Sequence, residues 1–306
     1  HHALAEALAE MPGITPAKLA RHWQAAQAWP QAARTWLAAA RLAVGAGRLA
    51  EADDLFSSAA DACELADDPA QLAAVLAAAQ PSRLLCLGAD TVADRLLKHL
   101  DKTQERAPRA RLLLLQAEAE LARMKFDAAA AAAAQASALA QDLPGEAELK
   151  ADANLLHGRT LAWTDCTDEG LARMRLACAE IDALGDLRRR LHARTTLSDV
   201  LVPAGLRVES VSVQREALLL ARQLGDAFEL AVCAANLSLY NYLIGDAAGA
   251  YAASAEASLA LGQMDAGHVN RRMCVAVFSF SAAHLGRFDE VASEVRAFID
   301  TSDVGD

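Results

Sequence analysis

The chain has 306 residues, of which 54% are apolar and only 5% are aromatic. Alanine and leucine therefore supply most of the apolar content, which favours closely packed helices. The net charge of −11 opposes direct contact with nucleic acid or with anionic lipid, so neither is expected as a partner.

The apolar periodicity predicts helices along the whole chain and no strand. Thr15-Pro16 and Asp68-Pro69 each have the pattern of an N-cap residue followed by proline in the first helical turn. Pro81 is expected to kink or split its helix, and the segment 201–205 to end another early. The predicted helices cover residues 2–10, 16–28, 31–46, 49–65, 70–87, 91–103, 108–124, 127–142, 146–163, 168–184, 187–203, 207–224, 227–244, 247–262, 267–285 and 288–300.

One pattern of small residues returns at regular intervals along the chain. In its clearest copy, Ala52, Phe56 and Ala59 fall on one helical face, where they can pack against the preceding helix. Gly185-Asp186 and Gly225-Asp226 stand where second helices end. The regularity predicts seven phased helical hairpins. The positions equivalent to Ala52 are Ala93, Ala129, Gly170, Ser210, Ala250 and Val291, at successive spacings of 41, 36, 41, 40, 40 and 41 residues.

The small positions, the Phe between them and the closing Gly-Asp resemble the tetratricopeptide repeat (TPR) family. Residues 215–226 and 235–238 are similar to the long TPR arrays of maltose-activator-like bacterial regulators. This resemblance implies an all-α fold, a right-handed α-solenoid of about seven to eight TPR-like hairpins. Residues 1–306 would then form one solenoid, with phased hairpins over 47–300.

The first 46 residues resemble the junction that follows the NTPase domain in LuxR-type transcriptional activators and ATPase-linked adenylate cyclases. The resemblance rests on the segments 2–8, 19–23 and 32–40. It implies that residues 1–46 are lead-in helices that join an upstream NTPase domain. The chain would then be a ligand- or protein-binding sensor domain of a multidomain bacterial regulator of transcription or signalling. A protein-interaction scaffold without a sensing role, or the regulatory region of an adenylate-cyclase-type protein, are the alternatives.

The first helix of each hairpin is expected to line the concave surface of such a solenoid. Polar and aromatic side chains on that face are candidates for holding a protein, a peptide or a small-molecule effector. Ordinary solvated or packing roles are the alternative for each of them. The candidates are Asp152, Arg159, Trp163, His192, Thr195, Asp199, Asn236, Tyr240, Tyr242, Arg271 and His284.

The sequence lacks the common catalytic and metal-binding motifs. It contains no GxxxxGKS or GxxxxGKT loop, no HExxH, no GxSxG and no paired Cys/His spacing. The chain is therefore expected not to be an enzyme and to need no cofactor and no metal. The six cysteines are expected to be reduced and buried in a cytoplasmic protein, since they form no CxxC pair. Neither a signal peptide nor a transmembrane segment is predicted.

Three of the four tryptophans stand close together near the start of the chain. Trp23 and Trp36 lie at positions that favour the core, whereas Trp29 beside Pro30 is the candidate for an exposed contact with another domain. The basic cluster Arg188-Arg189-Arg190, with His192 and Arg194, has no aromatic neighbours of the kind that nucleic-acid sites use. It is expected to be a solvated helix face paired to the acids Asp182, Asp186 or Asp199.

Overall fold

The computed structural model describes residues 1–46, 48–86, 99–100, 103–261 and 269–302. These residues form helices joined by short turns, and no strand occurs among them. The helices are α1 (His2–Ala9), α2 (Pro16–Ala25), α3 (Trp29–Gly45), α4 (Leu49–Leu65), α5 (Pro69–Cys86), α6 (Arg106–Ala122), α7 (Phe126–Gln141), α8 (Ala147–Ala162), α9 (Thr167–Leu184), α10 (Leu187–Leu201), α11 (Arg207–Leu224), α12 (Ala227–Leu243), α13 (Ala247–Leu261), α14 (Val269–His284) and α15 (Phe288–Ser302). The predicted helix over 91–103 lies largely outside the described residues.

The chain folds into two compact units, His1–Thr160 and Leu161–Asp306. In each unit consecutive helices pack in pairs: α3 with α4 and α6 with α7 in the first unit, and α10 with α11, α12 with α13 and α14 with α15 in the second. The turns between paired helices are too short for anything but an antiparallel hairpin. Each unit is therefore a stack of helical hairpins, the all-α solenoid architecture that the sequence predicts.

The repeated small residues lie where the two helices of a hairpin meet. Ala52, Ala129, Ser210 and Ala250 have no exposed surface. Serine is accommodated among the alanines because its hydroxyl donates to the carbonyl of Ser198 at 2.9 Å. Burial of the repeated face is thus confirmed at these positions. Gly170 is buried as well, Val291 is half-buried, and Ala93 lies outside the described residues.

The Gly-Asp pairs end one helix and begin the next. Gly185 and Gly225 have φ of 78° and 66°, the left-handed conformation that glycine adopts without strain. The Asp186 carboxylate then accepts from the backbone N–H of Arg189 at 2.9 Å, and Asp226 caps α12 in the same way. The predicted helix ends are confirmed, and the two residues explain why hairpins follow each other without a linker.

Other predictions about helix ends and cysteines have mixed outcomes. Asp68 caps α5 through the N–H of Gln71 at 2.9 Å, whereas Thr15 precedes Pro16 without a side-chain capping bond. Helix α5 runs through Pro81 without being split, and α10 ends at Leu201, as expected.

The expectation that every cysteine is buried was wrong for Cys166. It is exposed because it occupies the N-cap position of α9, outside the helical pattern from which burial was inferred. Cys63, Cys178 and Cys233 are free and buried. Cys86 and Cys274 have side chains outside the described part.

Charged side chains join neighbouring second helices in the second unit. Arg222 on α11 binds Glu256 on α13 through two hydrogen bonds of 2.8 and 2.7 Å. One repeat earlier the equivalent residues, Asp182 on α9 and Glu216 on α11, are both acidic. Arg194 of α10 lies between them and donates to both, at 2.5 and 2.9 Å. The two junctions therefore use different ion pairs at equivalent positions: a direct Arg-Glu pair at one, and an arginine between two carboxylates at the other.

Within the described ranges, no helix is long and apolar enough to cross a membrane.

Candidate functional site

The first helices of the second unit, α10, α12 and α14, stand side by side. Thr195 of α10 lies 3.8 Å from the sulfur of Cys233 on α12, and the ring centroid of Tyr242 on α12 lies 6.0 Å from that of Phe280 on α14. We call the surface that these three helices share the first-helix face. It carries most of the candidates that the sequence predicts for a groove.

Charged groups occupy the part of the first-helix face where α10 and α12 begin. Arg188 donates to Asp226 at 3.2 Å and lies 3.7 Å from Glu229. Burial raises the pKa of Glu229, the neighbouring charge of Asp226 raises it further, and Arg188 and His192 oppose the shift. His192 itself is exposed and points to solvent from the same turn of α10.

Small polar groups occupy the middle of the face. Thr195 donates to the carbonyl of Leu191 at 3.1 Å, so its hydroxyl is already used within the helix. Burial raises the pKa of the Cys233 thiol to about 12, which leaves it protonated and unreactive at neutral pH. Asn236 is half-buried, and within the described ranges no protein group is bonded to its amide. The Asn236 amide can therefore both donate to and accept from a ligand.

Tyr240 and Asp199 form a contact between hairpins. Tyr240 is only 7% exposed, and its hydroxyl donates to the Asp199 carboxylate. Burial and the Asp199 charge both raise the pKa of Tyr240, which therefore stays a hydrogen-bond donor. These two predicted groove residues therefore hold neighbouring hairpins together through a hydrogen bond, and Tyr240 has little surface left for a ligand.

A buried polar network beneath the face was not predicted from the sequence. The Ser198 hydroxyl donates to the side-chain oxygen of Gln214 at 2.5 Å, and the Gln214 amide donates to the carbonyl of Cys233 at 3.0 Å. Gln214 is fully buried and so ties α10, α11 and α12 together. Its position four residues after the repeat marker Ser210 was the available signal, since that spacing places it on the packed face of the helix.

Three rings form an aromatic cluster where α12 and α14 end. Tyr242 packs against Phe280 with the ring planes 30° apart, and against His284 edge-on with centroids 5.8 Å apart. Phe280 is 57% exposed and His284 is exposed as well. Phe280 was not predicted, although it stands one helical turn before the predicted His284. Arg271, the other candidate on α14, has a side chain outside the described part.

The candidates on α8, and Trp163 directly after it, divide between the two units. In the first unit, Asp152 is half-buried, and Arg159 donates to Glu118 of α6 at 2.9 Å with both side chains largely buried. Trp163, in the second unit, is 39% exposed. Arg159 is therefore engaged in an ion pair between first helices.

The tryptophans near the start of the chain pack into the first unit. Trp23 and Trp36 are buried, as predicted, and the Trp36 indole donates to the side chain of Gln24 at 3.1 Å. Trp29 is half-buried and packs against the same core. Its predicted role in contact with another domain stays a prediction.

The basic cluster on α10 is neutralised by carboxylates. Arg190 and Arg194 both donate to Asp182, at 3.0 and 2.5 Å. Burial alone would lower the pKa of Arg194, but its hydrogen bonds to Asp182 and Glu216 outweigh burial and raise it. Pairing with Asp182 was predicted and is confirmed, and it uses the charges that a nucleic-acid patch would need.

The sequence matches no protein-family model and no curated protein. Solved structures similar to the chain are helical-repeat proteins. A STAND signal-transduction ATPase with a tetratricopeptide repeat sensor, from Pyrococcus horikoshii, matches with a TM-score of 0.59 at 13% identity. The match covers 97% of this chain and 48% of that one.

Two structures solved with a bound partner show the same architecture. A Rap protein complexed with competence and sporulation factor matches with a TM-score of 0.58 at 15% identity, over 89% of this chain and 76% of that one. NprR in complex with its cognate peptide NprX matches with a TM-score of 0.50 at 9% identity, over 89% and 79%. At these identities the comparisons show the fold, which is a TPR-like helical repeat.

Proposed function

We propose that the chain is a non-catalytic regulatory domain that senses a peptide or protein segment bound on its first-helix face. The observation that carries this proposal is the arrangement of α10, α12 and α14. These adjoining helices carry His192, the Asn236 amide and the aromatic cluster, whose side chains are exposed or half-buried. A few oriented polar groups beside apolar surface are what a specific binding site needs.

An extended peptide fits this surface better than a compact small molecule. The Asn236 amide offers a donor and an acceptor, which is the pattern that a peptide backbone requires. His192 and the aromatic cluster lie near opposite ends of the first helices, so a ligand that reaches both must be long. The complex of NprR with its cognate peptide, which shares the fold, supports the same kind of ligand.

We further propose that the domain belongs to a multidomain bacterial regulator with an NTPase domain upstream. The match to a STAND ATPase with a TPR sensor over nearly all of this chain supports this, as does the resemblance of residues 1–46 to a LuxR-type or cyclase-type junction. Stacked hairpins contact only their neighbours, so small rotations at successive junctions add and can relay occupancy to an attached domain. Such a regulator would work in the cytoplasm without contacting nucleic acid or membrane through this domain.

The binding proposal is tested with a random decapeptide library displayed on phage and selected on the intact chain. Selected peptides are resynthesised, and their affinities are measured by fluorescence anisotropy against Asn236→Ala and His192→Ala. Each of these changes should weaken binding about three- to tenfold, the loss of roughly one hydrogen bond. The matched control is Gln223→Ala, an exposed change on the second helix α11, which should leave affinity unaltered.

Peptides that bind the two variants as well as the wild type would overturn the proposed surface. The coding sequence upstream of His1 tests the wider context, since an NTPase with a P-loop is expected there. A measurement of nucleotide hydrolysis by the full-length protein distinguishes a sensor domain from a simple scaffold. A sensor domain changes the rate of nucleotide hydrolysis when the selected peptide is added, and a scaffold leaves that rate unchanged.

A further inference from the structure

The second unit contains two similar pairs of aromatic rings with different surroundings. Tyr251 packs against Phe278 with centroids 5.1 Å apart and ring planes 34° apart. The guanidinium carbon of Arg287 lies 4.5 Å above the Tyr251 ring centroid. This chain thus already places an arginine over a tilted Tyr-Phe pair, where the negative face of the ring attracts the cation.

The aromatic cluster contains the same kind of tilted Tyr-Phe pair, but the residues around the pair are different. Tyr242 and Phe280 lie 6.0 Å apart with ring planes 30° apart, and more than half of the Phe280 surface is exposed. Across the described ranges, no arginine or lysine stacks on this pair. His284 stands edge-on to Tyr242, with the ring centroids 5.8 Å apart, and places a polar group beside the pair.

The hydrogen bond of His284 decides what its other nitrogen offers. Nδ1 lies 2.8 Å from the carbonyl oxygen of Phe280, and a carbonyl can only accept. Nδ1 therefore carries the proton, and Nε2 of the neutral imidazole carries the lone pair. The exposed end of the ring is an acceptor, which requires a ligand that donates.

We propose that the aromatic cluster is a subsite for the guanidinium of an arginine side chain in a bound peptide. A guanidinium is planar enough to stack on the rings and has N–H donors at its edge for Nε2 of His284. An anionic side chain would meet the ring faces and a lone pair, and would approach a protein of net charge −11. This inference rests on the proposed function, since the arginine belongs to the peptide on the first-helix face.

The experiment uses the intact chain with rings of Tyr, Phe and His labelled with carbon-13. It is titrated with acetyl-Ala-Arg-Ala-amide and with the same tripeptide carrying citrulline, which has nearly the same shape and no charge. The arginine peptide should shift the Tyr242, Phe280 and His284 resonances with a dissociation constant on the order of millimolar. The citrulline peptide should bind about two- to fivefold more weakly, since an exposed cation–π contact contributes about 0.5–1 kcal/mol.

Two variants separate the aromatic contribution from simple apolar contact. Phe280→Leu keeps an exposed apolar side chain and removes the ring, so it should weaken binding of the arginine peptide about two- to fivefold. Val208→Ala removes exposed apolar surface on α11 and should change nothing. Equal binding of the arginine and citrulline peptides, or full affinity in Phe280→Leu, would overturn the subsite.

Failure of the subsite is distinguishable from failure of the proposed function. If the selected decapeptides depend on Asn236 but lack arginine, and bind Phe280→Leu as well as the wild type, the binding surface is supported and the subsite is refuted. Conversely, the arginine tripeptide could shift the resonances of the aromatic cluster although no decapeptide needs Asn236 or His192. That result would support the subsite and refute the wider surface.

Discussion

Replacing Tyr240 by phenylalanine removes one hydroxyl and leaves the buried ring in place. The hydroxyl donates to the Asp199 carboxylate on the neighbouring first helix. A hydrogen bond to a charged group contributes about 1.5–3 kcal/mol to stability, and because Asp199 is only half-buried the lower end of that range applies. Tyr240→Phe should therefore lower the free energy of unfolding of the second unit by about 1.5 kcal/mol.

Hydrogen exchange measured by mass spectrometry localises this loss. Amides of α12 should exchange about tenfold faster in Tyr240→Phe at pH 7, since 1.4 kcal/mol corresponds to a factor of ten. The matched control is Tyr242→Phe, because no hydrogen bond of the Tyr242 hydroxyl occurs among the described residues. That control should stay within about 0.5 kcal/mol of the wild type. Equal exchange in both variants and the wild type would refute the role assigned to the Tyr240 hydroxyl.

The pKa of Tyr240 adds a dependence on pH. Its folded pKa is raised by burial and by Asp199, so above about pH 10 the unfolded chain loses the phenol proton while the folded chain keeps it. Stability contributed by the protonated hydroxyl is complete below pH 10 and declines by about 1.4 kcal/mol per pH unit above it. Urea denaturation from pH 8 to 11 should therefore show the deficit of Tyr240→Phe shrinking. A deficit that stays constant above pH 10 would contradict the shift.

Three further changes test packing and charge by urea denaturation at 25 °C. Gly249→Ala would place its Cβ 2.3 Å from the carboxylate that caps α13 and should cost about 1–2 kcal/mol, whereas Gly45→Ala has open space and should stabilise by up to about 1 kcal/mol. Ala129→Leu overfills a fully buried position of the repeat and should cost about 1–3 kcal/mol, whereas Ala131→Leu on the exposed side of the same helix should cost under about 0.5 kcal/mol. Glu229→Gln should stabilise the second unit at pH 7 and not at pH 3, since the raised pKa means that ionisation of the folded carboxyl is unfavourable; a stabilisation that is independent of pH would refute this.

Local features of the fold were predictable because they depend on neighbours in the sequence. The Gly185-Asp186 junction needs only a left-handed residue and a capping carboxylate, both of which adjoin in the chain. The repeat spacing likewise identified Ser210 and Ala250 as buried, since 3.6-residue periodicity fixes the face of a helix. Cys166 escaped the same reasoning because it precedes its helix.

Contacts between hairpins were harder to predict because they depend on how two helices rotate about their axes. Asp199 and Tyr240 were both named as groove residues, and nothing in either helix alone indicates that they face each other. Gln214 has a helical spacing typical of apolar residues, so its role in joining three helices became clear only from the structure. Phe280 was missed for a similar reason: its exposure depends on the packing of α14, which the sequence pattern does not determine.

The charges at the second-helix junctions have a consequence for assembly during folding. Arg222 meets Glu256 at one junction, while Asp182 and Glu216 need Arg194 between them at the other. A mispaired stack that skipped one hairpin would bring Asp182 opposite Glu256, two carboxylates without the intervening arginine, and like charges there repel. At these two junctions the charges therefore favour the native order of the hairpins over the order that skips one.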